Sequence, residues 1–261
     1  MKLYRIENRG VWTYHWFYYT LCSFRFLENI EEKPNILITF LTDSKDMQYC
    51  YESLEYFKNN FNIYFKLEEI SNIESIEIID YHGEEWLDHD VISSEGFTYL
   101  RKIILSQFKS ENKFMNERIY IKRNNQSKLS FNIIHKPRRN IINENELIEV
   151  LTNIYNFKCI DLEDYTFNDK VEIFQNSSII ISVAGGSLSF ATFANMHTKI
   201  IELFPHHTLT NGKNHFKNLC EVLSLNYERF IQLSFENSNN GTDSELNINI
   251  ESFKNYMNTI I

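Results

Sequence analysis

Apolar residues in the second half of the chain form short runs separated by segments of helical period. Runs rich in β-branched residues predict strands at 117–123, 157–162, 178–183, 198–203 and 227–234. The segments between them space apolar residues three and four apart and predict helices at 143–157, 166–177, 187–196 and 212–225. Strands and helices that alternate over short connections predict a parallel sheet with helices on both faces.

The first half has a less regular pattern. Apolar and aromatic spacing predicts buried helices at 13–30, 44–60 and 96–110. Strands are predicted at 34–41, 62–67 and 75–80, and the first dozen residues are taken as a lead-in to the first helix. The polar stretch 110–116 is the predicted linker between the halves. Beyond the last strand we expect a polar loop at 236–247 and a terminal helix at 251–261.

Composition and charge narrow the function classes. The 261 residues are 43% hydrophobic and carry 35 acidic against 26 basic side chains, a formal net charge of -9. That charge repels phosphate backbones and anionic lipids, so neither nucleic acid nor a membrane surface is an expected partner. No apolar run approaches the roughly 20 residues that span a bilayer, and charged residues interrupt the start where a signal peptide is apolar. The four cysteines form no CxxC pair, which favours free thiols and a cytoplasmic protein.

Two adjacent glycines follow one predicted strand in the sequence SIIISVAGGS, at 178–187. Ligands of doubly wound sheets bind beyond the carboxyl ends of the strands. Glycine lets the backbone approach an anion closely, and a helix N-terminus adds partial positive charge. Gly185, Gly186 and Ser187 are therefore candidate phosphate-binding residues, with Ser187 also a candidate helix cap. The alternative is a plain tight turn, because the pattern is neither GxGxxG nor a P-loop.

Basic residues flank the same predicted edge of the sheet. Arg123 ends the strand at 117–123, and Arg138 and Arg139 precede the helix that begins near Asn143. The guanidinium group binds phosphate in a bidentate manner, which favours a nucleotide-phosphate pocket. Glu202 ends another strand, where nucleotide-binding sheets commonly hold a ribose hydroxyl. The alternatives are a solvated basic surface and a capping or solubilising role for Glu202.

The order of these segments resembles the C-terminal half of glycosyltransferase family 61. YIKR, RRNIINENELIEVL, IIISVAGGSLSF and KIIELFP follow one another within residues 117–230. The segment WTYHWFYYTL is similar to a family segment that places His15 at the family's histidine. The matching positions in the C-terminal half are Arg123, Arg139, Asn143, Glu144, Glu202, Leu203, Phe204, Pro205 and Tyr227.

The chain also departs from the family pattern. Ala184-Gly185-Gly186-Ser187 stands where the family has His-Gly-Ala-Gly, so the motif histidine is missing. Phe190 replaces a typical Asn, and Lys170 stands where Gln is typical. His206 and His207 follow the ELFP sequence and are candidates to replace the missing histidine.

The resemblance implies a GT-B-like α/β fold with two Rossmann-like halves built on parallel sheets, of which the N-terminal half is reduced. The implied organisation is an acceptor-side domain at 1–112, a nucleotide-sugar-binding domain at 113–235 and a helix at 250–261 that packs back on the N-terminal domain. The implied donor-binding residues are Arg123, Arg138, Arg139, Asn143, Gly185, Gly186, Ser187 and Glu202.

The implied activity is inverting, metal-independent transfer of a sugar from a nucleotide sugar, UDP-linked, to a glycan or polysaccharide acceptor. A general base has to take the acceptor proton. The resemblance offers His15, and the polar segment 81–90 offers Glu85 and Asp88 as alternatives. The alternative for His15 is a histidine packed within a helix, and the alternative for Glu85 and Asp88 is a solvated loop.

Two other functions compete with this one. A catalytically degenerate sugar-nucleotide- or glycan-binding protein of a polysaccharide assembly pathway is favoured by the missing motif histidine. A dinucleotide-dependent oxidoreductase is disfavoured, since no GxGxxG sequence follows an early strand.

Overall fold

The chain folds as two α/β units, each built on its own parallel sheet. Unit 1 comprises Met1–Lys109 with Thr166–Asn168, and unit 2 comprises Ser110–Tyr165 with Asp169–Ile261. A computed structural model of the chain describes residues 1–8, 16–30, 33–40, 48–79, 94–123, 140–204, 214–231, 233–236 and 245–261.

The sheet of unit 1 has four parallel strands in the order β3-β2-β1-β4. The strand β1 was missed by the sequence analysis, which took the first dozen residues as a lead-in. Arg5 and Glu7 interrupt its apolar pattern, yet β1 pairs with a neighbour on both sides. The strands are β1 (Lys2–Asn8), β2 (Asn35–Phe40), β3 (Asn62–Tyr64) and β4 (Ser75–Ile79).

Helices of unit 1 surround an aromatic core. Of the residues predicted as one buried helix at 13–30, 16–27 are helical and mostly buried, but they form a π-helix followed by a 3₁₀ helix. Phe24 packs on Phe57 and Phe61 with ring centroids 4.6 and 5.0 Å apart. The helices are a π-helix (Trp16–Thr20), 3₁₀ helices (Leu21–Leu27, Glu55–Phe57 and Leu67–Glu69), α1 (Gln48–Leu54) and α2 (Ser94–Gln107).

The sheet of unit 2 has five parallel strands in the order β6-β5-β7-β8-β9. The chain passes from β5 to β6 on one side and then returns to add β7, β8 and β9 on the other. These strands confirm the alternating pattern predicted for this half. They are β5 (Arg118–Lys122), β6 (Phe157–Asp161), β7 (Ile179–Val183), β8 (Lys199–Leu203) and β9 (Tyr227–Phe230).

Each face of this sheet carries helices, as predicted. One face forms a continuous apolar cluster with α3 and α6, which includes Tyr120, Leu151, Ile201 and Phe253. Because side chains alternate along a strand, neighbours of these residues such as Glu202 point to the other face. The helices of this half are α3 (Glu144–Asn153), α4 (Phe167–Asn176), α5 (His215–Val222), α6 (Ile250–Ile260) and 3₁₀ helices (Leu162–Asp164 and Gly186–Phe193).

Two expectations for the C-terminal region were wrong. The predicted strand 227–234 ends at Phe230, and a separate antiparallel pair follows, formed by β10 (Leu233–Glu236) and β11 (Glu245–Ile248). The pairing of β11 with Ile141 explains why part of the predicted polar loop is extended instead. The helix α6 packs in the apolar cluster of unit 2, and the implied packing of this helix on the N-terminal half stays a prediction.

All four cysteines are free thiols, and Cys159 is the half-buried one. Burial raises the pKa of the Cys22, Cys50 and Cys220 thiols. Within the described parts of the chain, no helix is long and apolar enough to cross a membrane.

Candidate functional site

The carboxyl ends of β5 and β7 lie side by side at the point where the strand order of the sheet reverses. β6 lies on one side of β5, and β7, β8 and β9 lie on the other. In doubly wound sheets, the connections at such a reversal leave toward opposite faces, and ligands bind in the crevice between them. Arg123 follows β5 and Ala184-Gly185 follows β7, so the structure brings two predicted donor-binding elements to this crevice.

Arg123 lies directly against the glycine turn. Its Nη1 donates a hydrogen bond of 3.0 Å to the carbonyl oxygen of Ala184. Gly185 has an extended backbone, with φ 174 and ψ 178, which any residue can adopt. A Cβ atom at Gly185 would stand 2.8 Å from the Nη1 of Arg123, so the glycine is needed for close approach. The glycine thus makes room for a guanidinium group at the strand reversal.

The 3₁₀ helix Gly186–Phe193 begins immediately after this turn. Its first amides precede any partner within the helix, as at every helix start. Ser187 lies inside the first turn instead of at the cap, and no side-chain cap bond is made at Gly185. The Ser187 hydroxyl lies 3.0 Å from the Oγ of Ser182, the penultimate residue of β7. The predicted cap is therefore replaced by a hydroxyl pair between strand and helix.

A buried ion pair occupies the neighbouring strands β8 and β9. Glu202 and Arg229 are register partners, and Arg229 Nε donates to Glu202 Oε2 at 2.7 Å. The side chains are 1% and 16% exposed respectively. The Tyr227 hydroxyl donates to the same carboxylate oxygen and accepts from Arg229 Nε at 2.7 Å. Glu202, predicted as a ribose-binding carboxylate, is thus held by two donors from β9.

Arg229 also connects the end of β8 to the start of α5. Its Nη1 donates to Oδ1 of Asn214, the residue before α5, at 2.7 Å. Its guanidinium carbon lies 3.9 Å from the centroid of the Phe204 ring, which is within cation–π range. One arginine therefore contacts both ends of the connection between β8 and α5.

The interactions among Glu202, Tyr227 and Arg229 determine the protonation states of Tyr227 and Arg229. Burial opposes charge on Arg229, but Glu202 and the Tyr227 hydroxyl outweigh it and raise the pKa of Arg229. Burial, reinforced by the Glu202 charge, raises the pKa of Tyr227 far above its ordinary value. Tyr227 therefore stays a neutral donor, and Arg229 stays a cation whose charge is balanced locally by Glu202.

Asn143 and Glu144, at the start of α3, are engaged by the protein. Asn143 precedes α3 as predicted, but its amide bonds the carbonyl and the N–H of Ile248, at 2.8 and 3.0 Å, instead of capping the helix. Glu144 accepts a 2.7 Å hydrogen bond from the hydroxyl of Tyr120, which is fully buried on β5. Burial, with the Glu144 charge next, raises the pKa of Tyr120.

Several predicted site residues lie outside the described residues. His15 follows β1, and Glu85 and Asp88 follow β4, in stretches 9–15 and 80–93. The basic segment 124–139 follows β5, and residues 205–213 follow β8. The roles of the predicted residues in these four stretches stay predictions. These residues are His15, Glu85, Asp88, Arg138, Arg139, Pro205, His206 and His207.

Sequence reasoning missed Arg229, Asn214 and Ser182. A signal for Arg229 was present, because period-two alternation along YERF puts Tyr227 and Arg229 on one face. Only the register of β9 against β8 places that face beside Glu202. Ser182 reads as part of an apolar run, and its nearness to Ser187 depends on the tight turn.

The Glycosyltransferase 61 family matches residues 13–201, which is more than half of the chain. The chain therefore belongs to glycosyltransferase family 61, and the resemblance inferred from its motifs is confirmed.

Curated relatives carry the name protein O-linked-mannose beta-1,4-N-acetylglucosaminyltransferase 2. The mouse protein is 31% identical over 104 residues, which cover 38% of this chain and 18% of the relative. The human protein is 30% identical over 104 residues, with the same coverage. The Xenopus tropicalis protein is 26% identical over 132 residues, or 48% of this chain and 23% of the relative. The chain thus spans about a fifth of the length of the relatives it matches.

Two departures from the family pattern lie close together in space. The Nζ atom of Lys170, on α4, is 5.9 Å from the centroid of the Phe190 ring. Phe190 is buried and stacks on Phe174 with ring centroids 6.2 Å apart. The replacement at Phe190 therefore extends the aromatic packing between α4 and the 3₁₀ helix.

Proposed function

We propose that the protein is a glycosyltransferase that moves a sugar from a nucleotide-sugar donor, UDP-linked, to a glycan or polysaccharide acceptor. The observation that carries the proposal is the contact of Arg123 with the glycine turn at the strand reversal of a family 61 chain. A cation and a helix start converge there, at the edge where parallel sheets bind nucleotides. The named relatives are N-acetylglucosaminyltransferases that act on O-linked mannose, which supports sugar transfer as the reaction class.

The proposed architecture is GT-B-like, with unit 2 as the donor-binding half and unit 1 as the acceptor-binding half. Each unit has a parallel sheet with an internal strand reversal, as this architecture requires. The chain segments that follow β1 and β4 start from the carboxyl ends of these strands, and they contain the proposed base candidates His15, Glu85 and Asp88.

In the proposed reaction, an acceptor hydroxyl oxygen attacks the anomeric carbon from the face opposite the leaving group. The bond from the anomeric carbon to the diphosphate oxygen breaks, and its electron pair leaves with the nucleoside diphosphate. The general base takes the hydroxyl proton, for which His15 is the first candidate. Negative charge grows on the departing diphosphate, where Arg123 and the start of the 3₁₀ helix stabilise it most in the transition state.

Metal independence and a cytoplasmic location, peripheral to a glycan assembly site, are parts of the proposal. Arg123, together with the predicted Arg138 and Arg139, supplies positive charge that a divalent cation supplies in other transferases. The buried pair Glu202–Arg229 is internally balanced and adds no net charge at this edge.

The second candidate is a degenerate member that binds a sugar nucleotide or a glycan without turnover. Ala184 in place of the family's histidine favours it. The two candidates differ in turnover, since the degenerate protein binds the donor but releases no nucleoside diphosphate from it.

The first experiment is a thermal-shift screen of the protein against UDP, GDP, CMP, dTDP and NAD, with and without Mn²⁺. A ligand that binds the native state raises the melting temperature. We expect stabilisation by UDP without metal, followed by UDP release from a UDP-sugar in the presence of an acceptor. Binding without release would select the degenerate candidate, and stabilisation by NAD alone would refute both.

The matched variants are Arg123→Gln and Arg118→Gln, at opposite ends of β5. Each arginine donates through Nη1 to a backbone carbonyl, of Ala184 at 3.0 Å and of Tyr155 at 2.8 Å. Arg123→Gln should weaken UDP binding about 10- to 100-fold, since hydrogen bonds to charged groups contribute about 1.5–3 kcal/mol. Arg118→Gln loses a similar bond far from the proposed site and should bind UDP as the wild type does. Equal effects in calorimetric titration would place the nucleotide elsewhere.

A further inference from the structure

Phe204 is the half-buried aromatic residue that extends β8 at the proposed site. Its N–H donates to the carbonyl oxygen of Phe230 at 3.0 Å, so its backbone continues the pairing with β9. The N–H of Ala184 donates to the carbonyl oxygen of Leu203 at 3.2 Å, so the pairing of β7 with β8 also continues to this level. Phe204 therefore stands one strand spacing, about 5 Å, from the glycine turn.

The ring of Phe204 is held in place from one side. The guanidinium group of Arg229 lies 3.9 Å from the ring centroid. Arg229 is itself anchored by Glu202 and Asn214, each at 2.7 Å. A cation against one ring face fixes the orientation of the ring, while the part-exposed remainder stays accessible at the edge of the sheet.

We propose that Phe204 is the stacking platform for the nucleobase of the donor. The inference rests on the proposed function and adds the position of the nucleoside to it. A diphosphate at Arg123 and the glycine turn leaves its nucleoside to extend along the edge of the sheet. The β8 side offers a rigid aromatic surface at that distance, and base–aromatic stacking needs only a π-face.

Arg229 acts in this arrangement as a positioning residue. Its charge is balanced by Glu202, so it orients the ring without competing with Arg123 for the diphosphate. Phe204 contacts only the base and Arg123 only the diphosphate, so a change at Phe204 should alter the affinity for the base and not the affinity for the phosphates.

The experiment compares UDP with inorganic pyrophosphate as ligands of the wild type and of Phe204→Leu, by calorimetric titration of the full chain. Phe204→Leu keeps an apolar side chain but removes the π-face. We expect its affinity for UDP to fall at least about fivefold, because stacking on an aromatic side chain contributes about 1–3 kcal/mol per base. The affinity for pyrophosphate should stay as in the wild type, and Phe204→Tyr should restore UDP binding.

A second variant keeps the test independent of any folding defect in Phe204→Leu. Phe204→Trp introduces a fluorophore at the platform, and the emission of the three native tryptophans is subtracted with the wild type. UDP should quench the added emission, and pyrophosphate should leave it unchanged.

The outcomes distinguish a failure of the Phe204 platform from a failure of the proposed transferase function. If the wild type binds neither UDP nor any other nucleoside diphosphate, the proposed function fails and the platform with it. If the wild type binds UDP and Phe204→Leu binds it equally well, only the platform is refuted. A loss of UDP and pyrophosphate binding in equal measure also refutes it, because that pattern belongs to a general distortion of the edge.

Discussion

The two parallel sheets have a similar centre and bury different kinds of side chain. In unit 1, β1 lies between β2 and β4, and in unit 2, β5 lies between β6 and β7. The core of unit 1 is aromatic, with Trp16, Phe24 and Phe57 fully buried. Among the described residues, the buried charged side chains are Glu172 and Glu202, and both lie in unit 2. Unit 2 therefore combines an apolar cluster of its own with buried carboxylates, whereas the described part of unit 1 buries no carboxylate.

The carboxylates of unit 2 are kept by specific donors. Glu172 Oε1 accepts from the Ser110 hydroxyl, the Lys113 N–H and the Asn176 amide, at 2.9, 3.0 and 3.2 Å. These hydrogen bonds hold Ser110 and Lys113, which belong to the predicted linker 110–116, against α4. Glu202 is fastened by Arg229 and Tyr227 beside the proposed site. A buried ion pair is weak evidence for a stabilising role, so the position of Glu202 beside the proposed site favours a functional role for it.

The largest expected effect comes from breaking the buried pair. Glu202→Gln leaves the Arg229 charge without its counterion in a buried site, which typically costs about 3–5 kcal/mol. The control is Glu228→Gln on the neighbouring strand β9, whose carboxylate is 43% exposed and bonds Lys199 at 2.6 Å. Exposed pairs contribute less than about 1 kcal/mol. Urea unfolding followed by far-UV circular dichroism measures both, and equal losses would remove the distinction between the two pairs.

Removing both partners sharpens the comparison. Replacing the Glu202–Arg229 pair with apolar residues, as in Glu202→Leu with Arg229→Met, should recover most of the stability lost in Glu202→Gln. UDP affinity should stay reduced, because Phe204 loses its anchor. If the double variant recovers both the stability and the UDP affinity of the wild type, the Glu202–Arg229 pair has no role in positioning Phe204.

The glycine turn gives a smaller effect, confined to binding. Gly185→Ala places a Cβ where the Nη1 of Arg123 now lies, 2.8 Å away. The flexible end of an arginine moves at little cost, so the fold should be retained while the bond to Ala184 is lost. We expect UDP affinity to fall about fivefold, which corresponds to roughly 1 kcal/mol.

A double-mutant cycle tests the cause. In the Arg123→Gln background, Gly185→Ala should produce no further loss of UDP affinity, because the group that it displaces is already gone. Additive losses would mean that the glycine contributes through its own backbone amide.

The sequence predicted unit 2 well because its elements are defined locally. Apolar runs bounded by polar connections identify strands β5 to β8 within a residue or two. Unit 1 gave poorer predictions at β1, where alternating charges hide a central strand, and at 16–27, where aromatic spacing predicts helix but not its tight winding.

The site was less predictable because its contacts are non-local. The sequence placed Arg123, the glycine turn and Glu202 at one edge, and the structure brings the first two into contact. The sequence predicted that Glu202 binds a ribose hydroxyl and missed its partner Arg229, 27 residues away. That pairing depends on the register between β8 and β9, which no local pattern indicates. Asn143 likewise bonds a strand 105 residues away that no local pattern indicated.

The smallest expected effect is the pH dependence of the Lys199–Glu228 pair, which joins β8 and β9. The hydrogen bond from Lys199, aided by that from the Tyr256 hydroxyl at 2.9 Å, lowers the pKa of Glu228 below its ordinary value. A carboxyl group whose pKa is lower in the folded state stabilises the fold at pH values above its unfolded pKa, about 4.3. That contribution disappears as the pH falls through the lowered folded pKa. The difference in unfolding free energy between wild type and Glu228→Gln should therefore be constant near neutral pH and shrink below about pH 4. Urea unfolding of both proteins across that range measures it, with Glu221→Gln as the control for an exposed carboxylate whose lysine contact is 3.6 Å. A difference that grows on acidification would mean that the Lys199 bond does not stabilise the charged form of Glu228.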